Sequence, residues 1–164
     1  MLADRVESSM NEQLGMELQS AYVYLAMAGY SESESLPGFA SWLRVQAREE
    51  VAHGMKFFDF ICDRGGRVRL GSLGEPPADY KGPLAVFEEA LEHERAVSEA
   101  IGRLYSIVVE EKDYASQAWL DWFATEQVEE EKSVGQIVDS LRRIGDRGDA
   151  LFLLDKDLAA RAGA

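Results

Sequence analysis

Gly65-Gly66-Arg67-Val68-Arg69-Leu70-Gly71-Ser72-Leu73-Gly74-Glu75-Pro76-Pro77-Ala78-Asp79-Tyr80-Lys81-Gly82 divides a chain that otherwise reads as helix. Glycine and proline recur too often in it for a helix to form. Upstream, apolar residues return three and four apart from about residue 4 to 31: Val6, Met10, Leu14, Leu18, Ala21, Leu25, Ala28. Pro37 opens a second helix as a first-turn proline, and Gly65-Gly66 ends it near residue 64. Downstream, Gly82-Pro83 opens a third helix running to about 110. Asp113 caps a fourth over 113–144, and a short fifth covers about 149–160.

Helices of about 28 residues are ~40 Å long and must bury their apolar stripes against one another. The joins near residues 32–36 and 111–113 are short, so each flanking pair is antiparallel. The middle segment is long enough, at up to ~60 Å extended, to run the whole length of a bundle. The second and third helices are then parallel. The alternative, two hairpins on a disordered linker, leaves both hairpins with uncovered apolar faces. The expected fold is all-α: a four-helix bundle with a long crossover and a short C-terminal helix, one domain over residues 1–164.

Composition narrows the function. Lys+Arg 17 against Asp+Glu 30 gives a net charge of −13, which argues against nucleic acid or an anionic membrane surface as partner. Hydrophobic residues at 46% are enough for a core. The single cysteine, Cys62, excludes an internal disulfide framework and fits a reducing compartment. It is expected buried or half-buried. No apolar run approaches the ~20 residues of a membrane span, and the N-terminus lacks a signal-peptide core. A cytoplasmic location is expected.

Most acids belong on the surface, but four interrupt apolar stripes. Glu17 lies between Leu14 and Ala21 at helical spacing, and Glu50 between Ala47 and Gly54. Glu94 lies between Leu91 and Ile101, and Glu130 between Phe123 and Val134. Each long helix thus turns one carboxylate inward. One such acid alone reads as a residue at the bundle edge. Four together repel one another unless a cation is shared among them, and no lysine or arginine lies on these stripes at matching depth.

Two spacings sharpen this. Glu50-x-x-His53 places a carboxylate and an imidazole on one helix face, and Gln127-x-x-Glu130 stands at the corresponding place in the fourth helix. Glu17 to Glu50 spans 33 positions, and so does Glu94 to Gln127. Two matched hairpins about a pseudo-two-fold axis would frame a dinuclear centre, the arrangement general to di-iron carboxylate bundles. Carboxylates with one imidazole suit iron or manganese better than structural zinc.

On these residues the chain resembles the ferritin family, most closely its haem-free bacterial members. The resemblance implies that Glu17, Glu50 and His53 bind one iron. Glu94, Glu130 and a bridging Glu50 would bind a second, with Gln127 beside them. Glu49, Glu126 and Glu129, with Glu130, correspond to a third, weaker iron position. Tyr24 corresponds to a tyrosine that supplies an electron during oxidation. Trp122 is a possible second redox neighbour, with core packing as its simpler role. Bacterioferritins carry a second Glu-x-x-His where this chain has Gln127-x-x-Glu130. Their haem-ligating methionine follows the second-helix glutamate, where this chain has Val51. No haem is therefore expected, and Met55 reads as a packing residue.

The resemblance further implies 24 subunits in a hollow shell, ferrous iron and dioxygen (or peroxide) as substrates, ferroxidase activity and storage of ferric oxyhydroxide. A ferritin-like di-iron peroxidase without storage is the nearest rival, but such proteins usually carry a Cys-x-x-Cys module, absent here. A purely structural bundle is the second rival. The last helix, with Leu151, Phe152, Leu153, Leu154 and Leu158, either packs on its own bundle or lines a four-fold channel. His93 and Glu131 are expected to be solvated.

Overall fold

Five helices follow one another as α1 (Asp4–Ser33), α2 (Pro37–Asp63), α3 (Pro83–Glu110), α4 (Tyr114–Ile144) and α5 (Gly148–Ala160) in a computed structural model that describes residues 2–160. The start-and-stop chemistry is local. Pro37 and Pro83 sit in the first turns of α2 and α3, where a missing N–H costs nothing. The Asp113 carboxylate accepts from the Ser116 N–H at 3.2 Å and caps α4. Gly65 and Gly145 take positive φ at the ends of α2 and α4, a backbone state that glycine adopts without a Cβ clash.

Cross-helix contacts give the directions. Arg44, early in α2, pairs with Glu32 at the end of α1, while Glu50 and His53 further along α2 meet Glu17, so α1 and α2 are antiparallel. Glu88 pairs with Arg142, and Tyr105 with Asp121, so α3 and α4 are antiparallel. Arg5 reaches Glu110 while Tyr30 reaches Gly82, so α1 also opposes α3. The crossover therefore joins parallel helices and travels along α1. Side chains of α1 satisfy its backbone. Asn11 donates to the Arg67 carbonyl and accepts from the Arg69 N–H. Gln19 makes the same two-way pairing with Gly74, and the Tyr30 hydroxyl accepts from the Gly82 N–H. The segment is a bound strap rather than a linker.

The interior is layered along its length. One apolar cluster, around Phe39, Trp42, Phe87 and Val138, fills the end where α5 sits. A second, around Met10, Phe57, Ile61 and Leu104, fills the other end. The four inward acids occupy the level between them.

α5 is fixed by a reciprocal contact. Asp155, itself buried, accepts from the Phe39 N–H at 3.0 Å, supplying the cap that Leu36 cannot give α2. Gly38 permits the approach: a Cβ there would lie 1.7 Å from the Asp155 carbonyl oxygen. Leu151, Leu154 and Leu158 pack on the adjoining cluster, while Phe152 and Leu153 remain exposed.

Several sequence expectations are corrected. Leu25 is exposed, because the stripe of α1 drifts and passes to Tyr24, Met27 and Ala28. Cys62 and Met55 are exposed rather than packed. Trp122 is 39% exposed and lies over the Lys56 ammonium rather than in the core. His93 is half-buried, its Nε2 2.7 Å from the Ser20 hydroxyl, and burial lowers its pKa. Glu131 is half-buried and accepts from the Ser98 hydroxyl. In the last two cases a polar partner on the neighbouring helix replaces water.

Candidate metal centre

The middle layer of the bundle receives Glu17 from α1, Glu50 and His53 from α2, Glu94 from α3, and Gln127 and Glu130 from α4. The carboxylates are 1%, 2%, 1% and 6% exposed for Glu17, Glu50, Glu94 and Glu130. Side chains three apart on one helix share a face, which is why Glu50 with His53, and Gln127 with Glu130, arrive as pairs. The His53 Nδ1 lies 3.5 Å from a Glu50 oxygen. One ligand atom from each of Glu17, Glu50 and His53 falls within 4.8 Å of the others, close enough for one ion.

The opposite half is organised by hydrogen bonds. The Tyr24 hydroxyl donates to Oε1 of Glu94, and the Gln127 amide donates to Oε2 of Glu94 at 3.2 Å. The same amide reaches the Glu94 carbonyl and the Ser98 hydroxyl. Two further glutamines, unremarked in the sequence, complete the set. Gln13 donates to Oε1 of Glu17, and Gln46 donates across the bundle to Oε2 of Glu130, both at 2.8 Å. Gln13 stands one helical turn before Glu17, a signal the sequence did carry. Gln46 stands one turn before Glu50 yet serves Glu130, which spacing cannot reveal.

Beside this centre, His53, Glu126 and Glu130 form a second group with ligand atoms within 4.8 Å. Glu126 and Glu49 are half-buried there. Glu129 is exposed and belongs to neither group. His53 also stands edge-on to Trp122 and Phe123, which wall off one side.

Electrostatics gives the physical state of the layer. Burial, reinforced by the neighbouring Glu50 charge, raises Glu17 to about 8. Burial, then the Glu94 charge, raises Glu50 to about 9 and Glu130 to about 7. Burial raises Glu94 despite the hydrogen bonds from Tyr24 and Gln127. Burial and the Glu94 charge push Tyr24 well above its ordinary value. Among the described residues, no lysine or arginine forms an ion pair with these four acids.

The donor set fits iron. Oxygen and a single imidazole suit a hard or borderline divalent cation. Oε2 of Glu17 is buried without a hydrogen-bond partner, an acceptor that an ion would satisfy. A surface cleft of about 640 Å³ between Asp4, Glu12 and Arg69 lies at the end of α1 away from this chemistry.

Comparison with known proteins agrees. The model of the ferritin-like domain matches residues 7–144. A bacterial non-heme ferritin of Staphylococcus epidermidis is 40% identical over 162 residues, covering 99% of this chain and 98% of that one. One from Bacteroides fragilis is 39% identical, covering 98% of this chain and all of that one. An open-pore ferritin of the hyperthermophilic archaeon Archaeoglobus fulgidus superposes with a TM-score of 0.95 at 46% identity, covering 96% of each chain. With one buried acid on each of four helices, an imidazole one turn along and a crossover strapped to α1, the chain belongs to the ferritin family.

Proposed function

We propose that this protein stores iron: it oxidises ferrous ions at the mid-bundle centre with dioxygen (or peroxide) and deposits ferric oxyhydroxide inside a shell of 24 copies in the cytoplasm. The observation that carries this reading is the layer of four buried carboxylates to which, among the described residues, no lysine or arginine is ion-paired. Glu17, Glu50 and His53 bind one ferrous ion. Glu94 and Glu130 bind a second, with Glu50 between them and Gln127 kept as a neutral neighbour. Glu126 and Glu130, with Glu49 and Glu129, form a third and weaker position. Haem has no part in this reading.

The chemistry follows from charge. Glu17 and Glu50 hold protons near neutral pH when no cation is present, and Glu130 does so in part, because burial opposes their ionisation. An arriving ferrous ion displaces those protons, and the resulting anions favour ferric over ferrous iron. That lowers the cost of removing an electron. Two ferrous ions lose one electron each and dioxygen takes both, with two protons, to become hydrogen peroxide. One more electron each from a third ferrous ion and from Tyr24, with two more protons, completes its reduction to two waters. The net charge of −13 per chain concentrates cations around the shell.

The test is ferrous oxidation by the intact protein, with its mass measured by size exclusion. Catalysed oxidation, mineral growth and a particle near 24 times 18.3 kDa, about 440 kDa, are expected. Glu17→Ala combined with His53→Ala should slow oxidation sharply while the fold persists. A dimer that consumes peroxide and retains no iron would favour the peroxidase reading instead. Oxidation at the uncatalysed rate would overturn both.

A further inference from the structure

The two glutamines that sequence spacing did not single out occupy unusual positions. Gln13 is 3% exposed and Gln46 is fully buried. Each places its amide nitrogen 2.8 Å from one oxygen of a centre carboxylate, Glu17 and Glu130 respectively. The other oxygen of Glu17 is buried and has no partner. The carbonyl oxygen of Gln46 is likewise buried without a donor. A buried amide left half-satisfied is costly, so its position calls for a reason.

We propose that Gln13 and Gln46 are positioning residues of the metal centre, each engaging one oxygen of Glu17 or Glu130 so that the second oxygen is presented to the ferrous ion. The inference rests on the function proposed above. Its physical basis is the choice of an amide. A carboxylate rotating freely about its last torsion offers either oxygen, or both, and its orientation must be fixed when the ion binds. A hydrogen bond from a helix-borne donor fixes it beforehand. Lysine or arginine would hold the carboxylate more strongly, but their charge would repel the ion and compete with it. An amide donor orients without adding charge. Gln13 acts within α1, one turn from Glu17. Gln46 acts from α2 on α4, so it also ties the two halves of the centre together.

The experiment uses cobalt(II) as a redox-inert probe on the full-length protein. Calorimetric titration and ligand-field absorption follow the wild type, Gln13→Met and Gln46→Met. Methionine preserves length and helix propensity but donates nothing. Gln13→Met should weaken one class of site about tenfold and alter its absorption bands. Gln46→Met should do so to the other class, with particle mass and helix content unchanged. Gln13→Asn and Gln46→Asn, which keep the amide but fall one methylene short, should weaken the same sites and serve if the methionine variants do not fold. Unchanged affinities and spectra, or equal weakening of both sites with lowered thermal stability, would overturn the proposal. Absence of cobalt binding by the wild type would instead sink the proposed function itself.

Discussion

Tyr24 on α1 donates its phenolic hydrogen bond to Oε1 of Glu94 on α3, and burial among acids keeps that phenol protonated far above neutral pH. A neutral phenol touching a carboxylate of the candidate centre can lose its electron with its proton passing to that carboxylate. Tyr24→Phe is therefore expected to abolish a tyrosyl radical signal in freeze-quenched electron paramagnetic resonance during ferrous oxidation. Ferrous binding should remain. A signal of unchanged intensity in the variant would assign the electron to another side chain.

The pH dependence of the metal-free protein has a defined sign. Glu17, Glu50 and Glu130 titrate near 8, 9 and 7 in the fold and near 4.5 when exposed. The folded state thus holds more protons than the unfolded state between those limits. Its stability is fully present below about pH 4.5 and is lost progressively as pH rises toward 9. Melting temperature should fall across that window, and Glu50→Gln should flatten the fall. Loading with a divalent cation should reverse it and release protons measurable by pH-stat.

Gln127 is neutral, and it donates to Glu94. Gln127→Glu would replace that donor by a fifth acid in the same layer. The metal-free variant should lose about 1–3 kcal/mol at pH 8, read by chemical denaturation, and recover most of it when a divalent cation is added. Equal stability with and without the cation would show that position 127 lies outside the field of the ion.

Gly38 is the point where α5 meets α2. Gly38→Ala would drive a methyl group into the Asp155 carbonyl and pull the carboxylate from the Phe39 N–H. Loss of the cap alone costs about 1 kcal/mol, and displacement of α5 adds to it. Amide hydrogen exchange should accelerate in α5 and in the first turn of α2, leaving the metal layer protected. Uniform protection would place the α5 anchor elsewhere.

Periodicity of three and four, proline and glycine at the helix ends, and a crossover long enough to span the bundle determined the fold from the chain alone. The same pattern marked Glu17, Glu50, Glu94 and Glu130, because a carboxylate inside an apolar stripe is visible without coordinates. Tertiary structure alone decided what those acids touch. Gln46 serves Glu130 rather than its own helix neighbour Glu50, His93 finds Ser20 instead of water, and Asp155 caps a helix more than a hundred residues away. Helical spacing states which face a side chain shares. The partner on that face is set by how two helices are rotated and shifted against each other, and that is fixed by packing of the whole bundle.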